Sequence, residues 1–416
     1  MESSRSQHSS LFLFIFIFAI PAIFASALPR AAAAASTTKV IYAFAGGNDG
    51  EYLDTDLVMD ADGNIYGSTV QGGDFGSGTV FELSPNGTGW THTVLYSFHG
   101  STDGGEPYKG VTLDPHGNIY GTAVTGGGGS CEGGCGVVFK LTNSGGTWTQ
   151  TVIHQFTGGS DGSGPGSGLT FDQHGNIYGM TPTGGTYGLG TVYQLQPQAS
   201  GWQLNVLHAF TGGDDGSSGS AGRLILDRAG NLYGVTTVGG AHGDGVVFEI
   251  THANGTWTLT TLYAFKDQPD GALPYGGLIF DKAGNLYGTT YYAGVHDVGT
   301  VYKLTHANGA WIETNLYSFK GGSDGSSPIS TLVSDSAGNL YGTTSAGGTQ
   351  CDCGVIFKLA PNVNGTWTES IPYRFPGAPD AGFSYNGMVA GKAGNFYGAT
   401  THGGKANDGT IYTFTP

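Results

Sequence analysis

The sequence predicts a seven-bladed, all-β propeller with four antiparallel strands per blade, and three observations predict it. First, the unit Gly-Asn-[Leu/Ile/Phe]-Tyr-Gly begins at Gly63, Gly117, Gly175, Gly230, Gly284, Gly338 and Gly394. Its period of roughly 55 residues lies slightly above the kelch range. Second, each repeat holds four strand-like runs, and no helical period of 3.6 is sustained beyond the first residues. Third, the last repeat ends after its third run, while a spare fourth run, Lys39-Val-Ile-Tyr-Ala-Phe44, stands near the N-terminus.

The N-terminus reads as a processing signal. Arg5 and His8 lie in a polar stretch, Leu11 to Phe24 is apolar, and Ala25-Ser26-Ala27 is a small-x-small cleavage site. The apolar stretch is short for a membrane span. We expect a signal peptide over 1–27, a flexible lead-in over 28–37 and one propeller domain over 38–416. The expected location is extracellular or periplasmic. The chain ends at Thr415-Pro416 without an apolar tail, so no stable membrane anchor is expected.

Repeat five shows the strands. They are Gly277 to Phe280 (a), Asn285 to Thr290 (b), Thr300 to Leu304 (c) and Trp311 to Phe319 (d). Strand c alternates: in repeat one Phe81 and Leu83 share a face, and Val80 and Glu82 the other. Between a and b lies Asp281-Lys-Ala-Gly284, with the Asp and Gly of a type I turn. Between c and d, Asn-Gly or Gly-Gly precedes Trp, another tight turn. A longer glycine-rich loop joins b to c, and Gly-Gly-x-Asp-Gly joins d to the next a. Residues 38–44 supply the strand that the last repeat lacks, which joins both ends of the chain in one sheet and removes an open edge. Pro372 falls inside a d run, which fits d as the outermost strand.

Composition narrows the partners. The formal charge of -16 argues against nucleic acid and anionic membranes. Cys131 with Cys135 and Cys351 with Cys353 form two local pairs at the same place in repeats two and six. Loop disulfides are favoured over free thiols or metal binding, because export permits them. The Cys351–Cys353 bridge is the more strained of the two. His242 and His296 lie in b–c loops with Asp244 and Asp297 nearby, but exposed loop histidines are usually unliganded. No metal and no cofactor is expected, and the protein reads as a monomer.

Gly-Asn-Leu-Tyr-Gly-Thr-Thr, Gly-Thr-Val-[Tyr/Phe]-Lys-Leu and Leu-Tyr-Ser-Phe-x-Gly-Gly-x-Asp-Gly recur in order over nearly all of the mature chain. Together they resemble the GloVer tandem repeat of secreted bacterial proteins. Many members of that family carry a C-terminal surface-sorting segment, which is not evident here. The resemblance implies fold and export, and carries no activity to named residues.

Function is sought where the repeats depart from their own consensus. Asp49, Asp103, Asp161, Asp215, Asp270, Asp324 and Asp380 of the Asp-Gly loops recur sevenfold, so they read as loop-binding groups. So do Asp60, Asp114, Asp172, Asp227, Asp281 and Asp335 of the a–b turns. Tyr66, Tyr120, Tyr178, Tyr233, Tyr287, Tyr341 and Tyr397 read as core between blades. The segments that lead into strand a do vary. They carry Asp54 and Asp56, Tyr108 and Lys109, Arg223, Tyr275, and Tyr385 with Asn386. At a channel mouth, a few polar groups among aromatic rings make a ligand site. The tyrosines could equally plug the channel. The expected ligand-binding set is Asp54, Tyr108, Lys109, Arg223, Tyr275, Tyr385 and Asn386. We expect an extracellular, non-catalytic binding or surface-interaction module for a glycan or a protein. The alternative is a polysaccharide lyase or glycoside hydrolase at the same mouth.

Overall fold

The computed structural model describes residues 36–219, 222–348 and 350–416. The expected signal peptide, the lead-in up to residue 35 and Ala221 lie outside the described residues. In blade 5, Ile279–Phe280 (a), Leu286–Thr290 (b), Thr300–Ala307 (c) and Ala310–Ser318 (d) pair antiparallel in chain order. Strand a is shorter than the run that predicts it. The residues ahead of it bond to the next blade instead, with Gly277 N donating to Thr331 Oγ1 at 3.1 Å. The same order recurs in blades 1 to 4 and, with one added short strand, in blade 6.

Blade 7 draws on both ends of the chain. Its strands are Val389–Ala390, Phe396–Thr400 and Thr410–Thr415, and Thr37–Ala43 lies along the last of these. Thr38 pairs with Phe414 and Val40 with Tyr412. The ring is thus closed by hydrogen bonds, and strand c of the last blade is not left as an edge. Pro372 sits on the outermost strand, Trp367–Arg374, where the register shifts between Ile356 and Lys358. A missing N–H costs little at such a bulge.

One aromatic pair fills each seam between blades. The Phe that closes a d strand meets the ring of the next blade's c strand edge-on. Phe44–Phe81, Phe265–Tyr302 and Phe375–Tyr412 have centroids 5.2, 5.0 and 5.4 Å apart. All seven seams repeat it. Such a pair adds about 0.5–1.5 kcal/mol beyond its buried area. The second glycine of Tyr-Gly is dictated by these rings. A Cβ on Gly288 would stand 2.4 Å from Tyr302 Oη, and one on Gly67 would stand 2.6 Å from Phe81.

The repeat unit itself is a hydrogen-bond network. Asp281 Oδ1 accepts from the N–H groups of Ala283 and Asn285, at 2.8 and 2.9 Å. Its Oδ2 accepts from Asn285 Nδ2 and from the Tyr287 hydroxyl, at 2.6 and 3.1 Å. Burial pushes this carboxyl up, but the bonds from Asn285 outweigh it and leave it below its ordinary value. So Asp-x-x-Gly-Asn-x-Tyr turns the chain and holds a buried tyrosine with the same side chain. Blade 7 has Gly391 at the Asp position, and there Asn395 Nδ2 donates to Thr413 Oγ1 instead.

Both cysteine pairs are bridged within their own b–c loops, with sulfur atoms 2.10 Å apart for Cys131–Cys135 and 2.11 Å for Cys351–Cys353. No described helix is long and apolar enough to cross a membrane.

Candidate functional site: the channel mouth

The mouth is built from one residue per blade with a left-handed backbone. Tyr52, Glu106, Gly164, Ser218, Leu273, Ser327 and Phe383 have φ between 54° and 62°. Each lies three residues after the Asp of an Asp-Gly loop. Its N–H bonds a carbonyl in the b–c loop of the preceding blade, as Tyr52 N does to Asp408 O (3.2 Å) and Leu273 N to Asp244 O (3.0 Å). The left-handed turn costs of order 1 kcal/mol or more for a non-glycine residue. It persists because the residue before the bend is bridged to its own blade's b–c loop, as Glu51 is to Gln71 and Ala272 to Tyr292. From this point the chain runs inward along the channel, and alternate residues face the axis.

The first axis-facing ring includes Asp54, Tyr108, Gly166, Tyr275, Ile329 and Tyr385. With Tyr52, Lys109, Val124, Gly164 and Pro182 they line one open cup of about 600 Å³. Two residues on, a second ring forms a waist from Asp56, Gly110, Gly168, Arg223, Gly277, Thr331 and Gly387. Here neighbouring chains touch. A Cβ on Gly110 would lie 2.1 Å from Asp56 O, and one on Gly277 would lie 2.7 Å from Thr331 Oγ1. The residues between the two rings point back into the blades. Thr55, Ser167 and Ser330 are buried, and their hydroxyls accept from the N–H of Ser68, Met180 and Thr343. They stand in for the ladder that strand a has not yet begun.

Lys109 holds that middle position in blade 2 but has φ 56°, which turns its side chain into the cup. Its Nζ donates to Asp54 Oδ1 at 2.9 Å. Behind Asp54 lies the buried Asn386 carboxamide. Oriented to satisfy both its ends, it donates to Asp54 Oδ1 at 2.8 Å and accepts from Thr55 N at 3.0 Å. Burial pulls the Lys109 ammonium down, but Asp54 and then Asp56 outweigh it and its pKa ends raised. Burial, and then Asp54, pushes the Tyr108 phenol up. Tyr385 is raised too, by burial and then by Tyr52.

The structure thus brings Asp54, Tyr108, Lys109, Tyr275 and Tyr385 to one cup, with Asn386 bracing Asp54 from behind. Arg223 does not line the cup, and its placement corrects the expectation. It sits in the waist, where a Cβ on Gly168 would lie 3.0 Å from Arg223 Nε. Its Nη2 donates to Val111 O at 3.4 Å, and burial lowers its pKa against the pull of Asp56.

Three tyrosines escaped the sequence reading. Tyr52 stands before the compared segment and joins the lining. Tyr291 and Tyr292 follow strand b of blade 5 and are 36% and 49% exposed. The signal was there: the same two positions hold Val70-Gln71, Val124-Thr125, Pro182-Thr183 and Thr237-Val238 in the first four repeats.

The Asp-Gly acids bind their loops. Asp103 accepts from His99 N and the Tyr96 hydroxyl, and Asp324 from Lys320 N and the Tyr317 hydroxyl. Among the described residues, no three His, Cys, Asp or Glu side chains converge as a metal site requires. Asp297, beside His296, accepts instead from Gln268 Nε2 at 2.5 Å.

A model of the Gloeobacter/Verrucomicrobia repeat matches residues 127–321 and, overlapping them, 220–416. No functionally curated protein matches the chain. Two solved structures are similar in fold. A 6-phosphogluconolactonase candidate from Bacteroides uniformis is 14% identical, with 76% of this chain and 83% of that chain covered and a TM-score of 0.50. A protein from Lactobacillus plantarum is 13% identical, with 84% and 90% covered and a TM-score of 0.53. At such identities the likeness is one of fold alone.

Proposed function

From the premise that the chain belongs to the Gloeobacter/Verrucomicrobia repeat family, we propose that it is an exported, non-catalytic binding propeller that takes a glycan in its mouth cup. The observation that carries this reading is the cup itself. Tyrosine rings from blades 1, 2, 5 and 7 face one open space of about 600 Å³ beside a single fixed Lys–Asp pair. Amphipathic rings with few, oriented polar groups suit a sugar face and its hydroxyls. Two loop disulfides fit an oxidising compartment.

The polar groups are placed for binding rather than for chemistry. A hydrolase needs two carboxyls across the scissile bond, one of them free to take part as an acid. Asp54 is held by Lys109 and Asn386, and Asp56 accepts from Gly387 N at 3.1 Å in the waist. A lyase needs a base close to neutrality. Tyr108 and Lys109 are both raised, so each keeps its proton more firmly than usual. The test is to pass a panel of polysaccharides over the immobilised protein and follow retention and products together. Retention with intact polymer is expected. Newly formed reducing ends or unsaturated termini would make it an enzyme, and retention of no polymer would remove the glycan.

A further inference from the structure

We propose that the cup is the inner end of a longer track, and that its ligand is a saccharide chain without negative charge, running from the cup outward over blade 5. The inference rests on the glycan reading of the cup and adds length, direction and charge class.

Direction comes from broken symmetry. Only blade 5 follows strand b with two tyrosines. The first of the two positions is Val124 in blade 2 and Pro182 in blade 3, which merely edge the cup. Tyr275 belongs to the cup lining, and its ring meets that of Tyr291 edge-on with centroids 5.5 Å apart. Tyr291 thus extends the exposed ring surface beyond the cup, and Tyr292 is the next residue in the chain. Tyr275, Tyr291 and Tyr292 are 43%, 36% and 49% exposed, which frees ring surface that packing does not use. Tyrosine offers an apolar face with a hydroxyl at its edge, which matches a sugar better than it matches a buried aliphatic side chain.

Charge class comes from what the mouth leaves unpaired. Lys109 is bonded to Asp54, and Arg223 faces Asp56 in the waist. Lys109 is therefore not free to receive a carboxylate or sulfate, and Arg223 stands outside the cup lining with its Nη2 on Val111 O. The loops beside blade 5 carry Asp244, Asp267, Asp270 and Asp297 against Lys266, His242 and His296. Burial, and then Asp267, raises the Asp244 carboxyl against the pull of His242, with Asp270 adding a little. Across the mouth, Asp408 is raised by burial and then by Glu51. A chain of formal charge -16 with acids at this rim repels an anionic polymer.

The test is calorimetric titration with oligomers of two to six units. The probes are β-1,4-linked glucose and N-acetylglucosamine oligomers, with oligogalacturonates as the anionic series. Wild-type protein is compared with the Tyr291→Ala/Tyr292→Ala double variant, whose exposed changes leave the core intact. Wild type should gain on the order of tenfold in affinity from dimer to hexamer. The double variant should bind dimer as wild type does and lose that gain. The oligogalacturonates should not bind. An unchanged length dependence in the double variant overturns the track and leaves the cup standing. Oligogalacturonate binding at the affinity of the neutral series overturns the charge class. Failure of wild type to bind any of the three series, with binding of basic peptides instead, overturns the glycan reading and the track with it.

Discussion

Asp54 and Asp60 stand six residues apart in blade 1 and serve different ends. Asp60 accepts from three backbone N–H groups, from Asn64 Nδ2 and from the Tyr66 hydroxyl, all within its own repeat. Its counterparts in blades 2 to 6 bond the same kinds of partner. Asp54 accepts from Lys109 of blade 2 and Asn386 of blade 7, and no other blade has a carboxylate at its height. One position is repeated because every blade needs a turn. The other is unique because its partners come from blades that differ. Repetition therefore marks folding, and its local failure marks where an asymmetric ligand can be met.

The strongest way to break this comparison is to remove a feature that every blade shares. Deleting residues 37–43 strips the fourth strand from blade 7 and exposes Thr410–Thr415 as an edge. We expect loss of cooperative melting and aggregation; a variant that melts like wild type would mean that the ring does not depend on this strand. Next in size is Asp281→Ala, which leaves the turn N–H groups and Tyr287 without their acceptor. It should cost about 2–3 kcal/mol in urea unfolding while leaving glycan retention as in wild type. Asp54→Ala should do the reverse, with a smaller loss of stability and a clear loss of retention. Equal stability losses in both variants would erase the distinction.

Tyr275→Ala and Tyr385→Ala sharpen it at the mouth. Each should weaken binding by about 1–3 kcal/mol and shift melting little. Severe destabilisation by both would make them channel plugs instead.

The smallest effect concerns two seams. Where blade 1 sets His92 against Asp49, at 3.2 Å, blades 5 and 6 set Glu313 and Glu369 near Asp270 and Asp324. Burial, and then the neighbouring Asp, pushes each glutamate up to about 7 from the ordinary 4.5. The folded chain then holds these protons more tightly than the unfolded one. Their contribution to stability is complete below pH 4.5, falls as the pH rises to about 7, and is flat above. The Glu313→Gln/Glu369→Gln variant should flatten that part of a melting-against-pH curve. A slope equal to that of wild type would assign it to other groups.

Much of this was legible in the residues. The blade count, the closing strand, the turn aspartates, the seam aromatics and the local cysteine pairs all follow from repetition, because each is satisfied within a repeat or between adjacent ones. Most of the cup was legible as well, since Asp54, Tyr108, Tyr275 and Tyr385 differ from their counterparts at one level, and Lys109 at the position after it. Arg223 was grouped with the cup because the compared segment spans two rings, and Arg223 aligns with Asp56 and Gly277 of the second rather than with Asp54 and Tyr275 of the first. Tyr52, Tyr291 and Tyr292 were missed because they stand outside the compared segment, on turns whose direction depends on the left-handed bend and on the b–c loop.

By itself, then, the sequence determined a closed ring of seven blades. Hydrophobic alternation, turn chemistry and the spare strand are local quantities, and a period repeats them until the ring closes. The tertiary structure alone decided which side chains share the axis. Asp54 and Asn386 lie 332 positions apart in the chain and meet at 2.8 Å. Ring closure brings blade 1 against blade 7, and a φ of 56° turns Lys109 toward both.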